Sequence, residues 1–296
     1  MESIRDKYAA LVGAMMSKLK GDSTVSEETV FQEGVPSLLP SIDTILQDHL
    51  LPGSGIAGFE HLETLLDGAK KGEPSLLLVE HYSNFDLPAF HYLLRQYGSP
   101  GQEIAESCVA IAGIKLNESN PAVSAFAHAY SRIVIFPSKY IELIKQNYKD
   151  PNKLLQEMRR SLAINLAAMR ALNKIKTEGK IILVFPAGTR FRPWDPSSKR
   201  GVREIASYIK SFSKFCLVAI NGNILRINPS GEMEDDLLHK DKLVFTVSPV
   251  IDSAEFLGDI KHDHHFRDDK KQEIVDHLMS KLETMHEEAE KRRLSS

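Results

Sequence analysis

A histidine and an aspartate stand five positions apart in "HYSNFD" (81–86), directly after the apolar run 76–79. A chain leaving a buried strand at its C-terminal end delivers side chains to the place where α/β proteins bind ligands. Ser83 or Asn84 can cap the helix predicted to follow, which puts Asp86 in its first turn. From there the carboxylate can hold the His81 imidazole in one tautomer and stabilise the imidazolium after proton uptake. The pair then reads as a general-base dyad without a serine. The alternative is structural, with Asp86 complementing the helix dipole and His81 a satisfied loop residue.

A second loop with chemical potential is "VFPAGTRFRPWD" (184–195), again after an apolar run. Pro186, Gly188 and Pro193 shape it. Arg190 and Arg192 are two apart, so in an extended segment both point to one side. Two guanidiniums so placed suit a phosphate, which each can grip bidentately. The alternative is a pair of solvated arginines bonded to Asp195 or Glu204. In "RIVIFPSKYIE" (132–142), Lys139 adds a cation three residues past a third apolar run, unless it is simply solvated.

These loops need strands and helices to hold them. Six short runs have the length and β-branched content of buried strands: 75–79, 108–112, 132–136, 180–185, 215–220 and 242–250. Helical patterns lie between several of them. The clearest covers 152–176, with Asp150 as cap, Pro151 as first residue, Gly179 as stop, and an apolar stripe of Leu155, Leu162, Leu166, Met169 and Leu172. A last amphipathic helix is expected over 266–293, with Ile274, Leu278, Leu282 and Met285 on its apolar side. Residues 1–75 read as helices only, the second beginning near Ser26, with "LPGSGIAG" (51–58) as a loop. The expectation is an α/β fold with a central mixed sheet flanked by helices. A helical bundle over 1–74 would precede an α/β domain over 75–296.

The 296 residues are 42% hydrophobic and 26% charged, ordinary for a globular chain. A net charge of −3 argues against a general nucleic-acid binder. The charge is uneven: residues 1–75 hold 6 basic and 12 acidic side chains, and the remainder holds 31 and 28. Anionic ligands should therefore favour the later part. Cys108 and Cys216 sit inside apolar runs, which fits buried reduced thiols. The start, "MESIRDKYAA", lacks the features of a signal peptide. No apolar run approaches the roughly 18–20 residues of a membrane span. A cytoplasmic protein is expected. No P-loop or dinucleotide fingerprint occurs, and "HDHH" (262–265) reads as a solvated loop rather than a metal site, so neither cofactor nor metal is expected. Trp194 receives no role.

"HYSNFD" resembles the H-x-x-x-x-D motif of glycerolipid acyltransferases, and "FPAGTR" resembles their F-P-E-G-T-R motif. The likeness extends to the soluble, chloroplast-type glycerol-3-phosphate acyltransferases. Their phosphate-gripping S-G-G-R-D-R-P loop is similar to "AGTRFRP" (187–193), and "AGIKLNESNPAVSAFAHAYSRIVIFPSKYI" (112–141) is similar to the segment between their motifs. The resemblance is specific over about 76–193 and weaker elsewhere. It implies that His81 deprotonates an acceptor hydroxyl, that Asp86 orients it, and that Lys139, Arg190 and Arg192 hold the phosphate of glycerol 3-phosphate. Gly188, Thr189 and Tyr140 would complete the substrate loops. Acyl carrier protein or acyl-CoA would donate the acyl chain directly, without an acyl-enzyme. The lipid product implies transient peripheral membrane contact. Two positions depart from the pattern: Ala187 replaces a glutamate, and Tyr140 replaces a histidine. Two other readings remain, a 1-acylglycerol-3-phosphate acyltransferase and a non-catalytic phospholipid-binding homologue.

Overall fold

A computed structural model of the chain describes residues 2–19, 24–118, 121–229, 231, 235–263 and 269–295. All six expected runs form strands, and the fold is α/β. The chain divides into two compact units. The first comprises Met1–Lys7, Asp43–Cys108 and Lys176–Ser296, and the second Tyr8–Ile42 and Val109–Ile175.

The first unit is built on a mixed sheet. Ser75–Val79 lies parallel between Ile181–Val184 and Lys214–Asn221. Val244–Val247 runs antiparallel to Lys214–Asn221, and Gly55–Ala57 parallel to Val244–Val247. Every residue of Ser75–Val79 and Ile181–Val184 is buried. That is why these strands read as continuous apolar runs rather than alternating ones. The helix Phe59–Lys70 buries Leu62, Leu65 and Leu66, and Lys270–Ser295 buries Ile274, Leu278 and Leu282. The latter helix packs against Lys214–Asn221. Cys108 and Cys216 are free and buried, and burial pushes both thiols up to about 12. Among the described residues, no helix is long and apolar enough to cross a membrane.

In the second unit, Ala110–Gly113 pairs parallel with Arg132–Ile135, whose other edge takes Phe31–Gln32 antiparallel. The Arg132 guanidinium is buried without a carboxylate partner among the described residues. It donates instead to Asn117 Oδ1 at 3.1 Å, to the Ala127 carbonyl at 2.9 Å and to the Gln32 side chain. Burial lowers its pKa to about 10. The long helix Pro151–Ile175 starts as expected, with Asp150 Oδ1 accepting from Asn152 N at 2.9 Å. Asn165 then pins it to the strand exit, exchanging hydrogen bonds with Phe136 N and O at 2.8 and 3.1 Å.

Three expectations change. Residues 1–75 are not helices only: Phe31–Gln32 and Gly55–Ala57 are strands, and 26–29 is a turn closed by Thr29 N–H on Ser26 O. Strands of two or three residues carry too little periodicity to be read, and their neighbours in the sheet recruit them. Phe31–Gln32 lies in the second unit and Gly55–Ala57 in the first. The leucine stripe of Pro151–Ile175 faces outward, while Ser161, Ile164, Ala167, Ala168 and Ile175 are buried. Of "HDHH", His262 and Asp263 belong to the helix Ser253–Asp263 rather than to a loop, and His264 and His265 lie outside the described residues.

Candidate active site

The strand Ser75–Val79 delivers Glu80 and His81 to its C-terminal end, and the helix Asp86–Arg95 follows. Pro88 falls in that helix's first turn, where a missing N–H costs nothing. Asp86 is buried and takes four hydrogen bonds. Its Oδ2 accepts from His81 Nδ1 at 2.9 Å, Tyr82 N at 2.6 Å and Ser83 N at 2.9 Å, and its Oδ1 accepts from Ser83 Oγ at 2.9 Å. Ser83 therefore serves the aspartate; its Oγ also accepts from Phe85 N, and the helix has no side-chain cap. An ionised carboxylate can only accept, so His81 Nδ1 carries the hydrogen and Nε2 bears the lone pair. The two residues meet as a His–Asp dyad, and Asp86 does more than complement a helix dipole.

The second motif backs the first. Phe185, one residue past Ile181–Val184, stacks on the His81 ring with centroids 4.0 Å apart and planes 17° from parallel. Phe191 N–H donates to the His81 carbonyl at 2.8 Å. Between them the loop turns at Gly188, whose φ of 64° is costly for other residues. Its N–H closes the turn on Phe185 O at 2.9 Å. Thr189, next in the loop, is half-buried.

The arginines do not behave as a matched pair. Arg190 forms an ion pair with buried Asp236, which comes from neither carboxylate considered in the sequence. Asp236 Oδ1 also accepts from Asn228 N at 3.1 Å. Burial raises the Asp236 pKa, and the nearby Arg190 charge only partly offsets this. Arg192 donates its backbone N–H to Ser198 Oγ at 2.8 Å. Among the described residues, no carboxylate lies within ion-pair distance of its guanidinium. Asp195 instead caps the short turn Pro196–Lys199. Lys139 and Tyr140 stand in the helix Ser138–Asn147 of the second unit. Lys139 is exposed, and Tyr140 stacks on Phe136 with Lys115 over its ring.

Four functional candidates escaped sequence reasoning. His81 lines a pocket with Glu80, Tyr82, Ala187, Phe191, Lys199 and Met279, among others. Neither Arg190 nor Arg192 lines it. Buried Glu80 accepts from Ile220 N and His286 Nδ1, each at 2.8 Å, and from Tyr82 Oη at 3.0 Å. Burial pulls the His286 pKa down, but the hydrogen bond and charge of Glu80 outweigh it and leave the pKa raised. Burial raises the Tyr82 phenol, with Glu80 adding to the effect. Lys199 pairs with Glu283 and lies over the Phe191 ring at 5.6 Å. The sequence did carry one signal, a carboxylate directly after the apolar run 76–79. His286 had none, for it lies 206 positions from Glu80.

A base with its tautomer set, stacked on an aromatic ring and lining a pocket, can take a proton from a hydroxyl. No protein-family model matches the chain, and no curated protein matches it.

Proposed function

We propose that the chain transfers an acyl group from a thioester directly to a hydroxyl of a small phosphate-bearing acceptor, glycerol 3-phosphate, yielding a lysophosphatidic acid. The observation that carries the reading is the His81–Asp86 dyad, locked by the three further hydrogen bonds on Asp86. The acceptor hydroxyl gives its proton to His81 Nε2 as its oxygen attacks the thioester carbonyl. The tetrahedral adduct collapses, the carbon–sulfur bond breaks, and the leaving thiolate recovers the proton from the imidazolium. Asp86 stabilises the imidazolium between these steps. Acyl carrier protein and coenzyme A are both suitable thiols.

Arg192 and Arg190 supply the phosphate contacts in this reading. The acceptor must compete with Asp236 for Arg190. The role of Lys139 comes from the resemblance alone. Anchoring the phosphate turns an encounter between alcohol and base into an oriented one, which is where much of the rate originates. The test is thiol release from acyl-CoA or an acyl carrier protein thioester, with glycerol 3-phosphate, 1-acylglycerol 3-phosphate or glycerol as acceptor. Release with glycerol 3-phosphate far above the other two supports the reading. Preference for the acylated acceptor reassigns the substrate, and no release with any of them leaves an anion-binding protein.

A further inference from the structure

The outward stripe of Pro151–Ile175 is unusual for a chain of this composition. Leu155, Leu162, Leu166 and Met169 are 50, 71, 47 and 61% exposed. At 100° per residue they fall within about 60° of one another, along roughly 21 Å of helix. The opposite side is committed to the unit's interior through Ile164, Ala167 and Ala168. The helix Ser138–Asn147, packed alongside, exposes Leu143, and the connection exposes Tyr148. Among the described residues, six of the eleven exposed large hydrophobic side chains thus fall between 143 and 169. Single exposed leucines are ordinary, but a contiguous apolar ridge marks a contact surface.

Charge says what kind of surface covers it. Residues 138–176 hold nine Lys and Arg against three Asp and Glu, in a chain whose net charge is −3. Arg159 and Arg170 are exposed and border the stripe along one side, about 50° and 70° from its axis. Lys145, Lys149 and Lys153 are exposed where the two helices join. An apolar ridge bordered by cations is the pattern of a helix lying in a membrane interface. A second copy fits poorly, because it would bring two strongly basic faces together.

We propose that this helical hairpin docks the protein on the surface of a bilayer containing anionic phospholipid. Leu155, Leu162, Leu166 and Met169 enter the boundary between headgroups and acyl chains, and the flanking bases meet lipid phosphates. The inference stands on the second unit alone and does not depend on the acyl-transfer reading.

The experiment is flotation of the full chain with phosphatidylcholine vesicles, with and without about one third phosphatidylglycerol. The wild type floats with the anionic vesicles and less with the neutral ones, and added salt weakens the association. Leu162→Glu with Met169→Glu lowers the partition coefficient at least about 100-fold, since two apolar anchors are lost. Arg159→Gln with Arg170→Gln lowers it about 25-fold on anionic vesicles, near fivefold per charge, and leaves neutral ones unaffected. All four positions are exposed, so thermal unfolding should match the wild type; a large Tm loss in either double variant would show a structural face and overturn the proposal. It also fails if the wild type does not float with anionic vesicles, or if the double variants float as well as the wild type. A dimer in sedimentation that Leu162→Glu with Met169→Glu dissolves, or capture of acyl carrier protein without vesicle binding, would assign the face to a protein and equally overturn it.

Discussion

Two loops leave adjacent parallel strands and handle their charges in opposite ways. After Ser75–Val79, every hydrogen bond on Asp86 comes from within five residues, and all of them aim the carboxylate at His81 or brace the turn that carries it. After Ile181–Val184, Arg190 is bound by a carboxylate 46 positions away. The first loop is organised by its own residues, with the carboxylate fixed on the imidazole. The second has its Arg190 cation paired with a distant internal anion, and in the proposed reaction that cation is released to the acceptor's phosphate. Catalytic geometry benefits from rigidity, whereas a ligand-binding charge must exchange one partner for another.

The comparison breaks most sharply at His81. His81→Ala should lower kcat by about 10²–10⁴-fold, the usual worth of a general base. The acceptor's KM should stay near its wild-type value, because the ring makes no phosphate contact in this scheme. A variant with near-normal thiol release would remove the dyad from the mechanism.

The arginines come next. Arg190→Ala and Arg192→Ala should each raise the acceptor's KM about 10- to 100-fold, from roughly 1.5–3 kcal/mol per charge-assisted contact. The donor's KM should hardly move. If instead the donor weakens, the two guanidiniums serve the carrier's phosphates.

Asp236→Asn sharpens the contrast further. Neutralising the masking anion should lower the acceptor's KM by up to about tenfold while making the unit less stable in thermal unfolding. Lower stability with an unchanged KM would mean that the Arg190–Asp236 pair is architectural and that Arg190 does not reach the substrate.

The smallest effect concerns His286. Its pKa is raised in the fold, so the stability from its charged form is fully present below the unfolded value of about 6.5. That stability is lost as pH rises through the folded value. Glu80 and Glu283 favour the imidazolium, while burial and Lys199 oppose it. The wild type should exceed His286→Gln by about 2 °C in Tm at pH 6, and the gap should shrink by pH 9. An equal gap at both pH values would show that the contact is held by shape alone.

What could be read from the residues follows the distance between partners. The dyad was legible because strand, loop and helix start fit within a dozen residues, leaving Asp86 little choice of neighbour. The six buried strands were legible because each is a short run bounded by turn residues. The Arg190 partner was not, since nothing around 190 points to Asp236. Nor was the buried face of Pro151–Ile175. There Ser161, Ile164, Ala167 and Ala168 take the inner side, and a pattern that counts only large apolar residues favours the leucines instead. The strands Phe31–Gln32 and Gly55–Ala57 exist because neighbours at Arg132–Ile133 and Val244–Thr246 pair with them, a cause absent from their own residues.

The bond from Glu80 to His286 has a consequence in time. These residues are 206 positions apart, and a ribosome adding about 5–20 residues per second needs roughly 10–40 s to cover that interval. Throughout it, the Glu80 carboxylate has Tyr82 and, later, Ile220 to bond but lacks its imidazole partner. The wall of the pocket beside His81 therefore closes late, and a nascent chain that already carries its histidine and aspartate must wait for its last helix before that wall is complete.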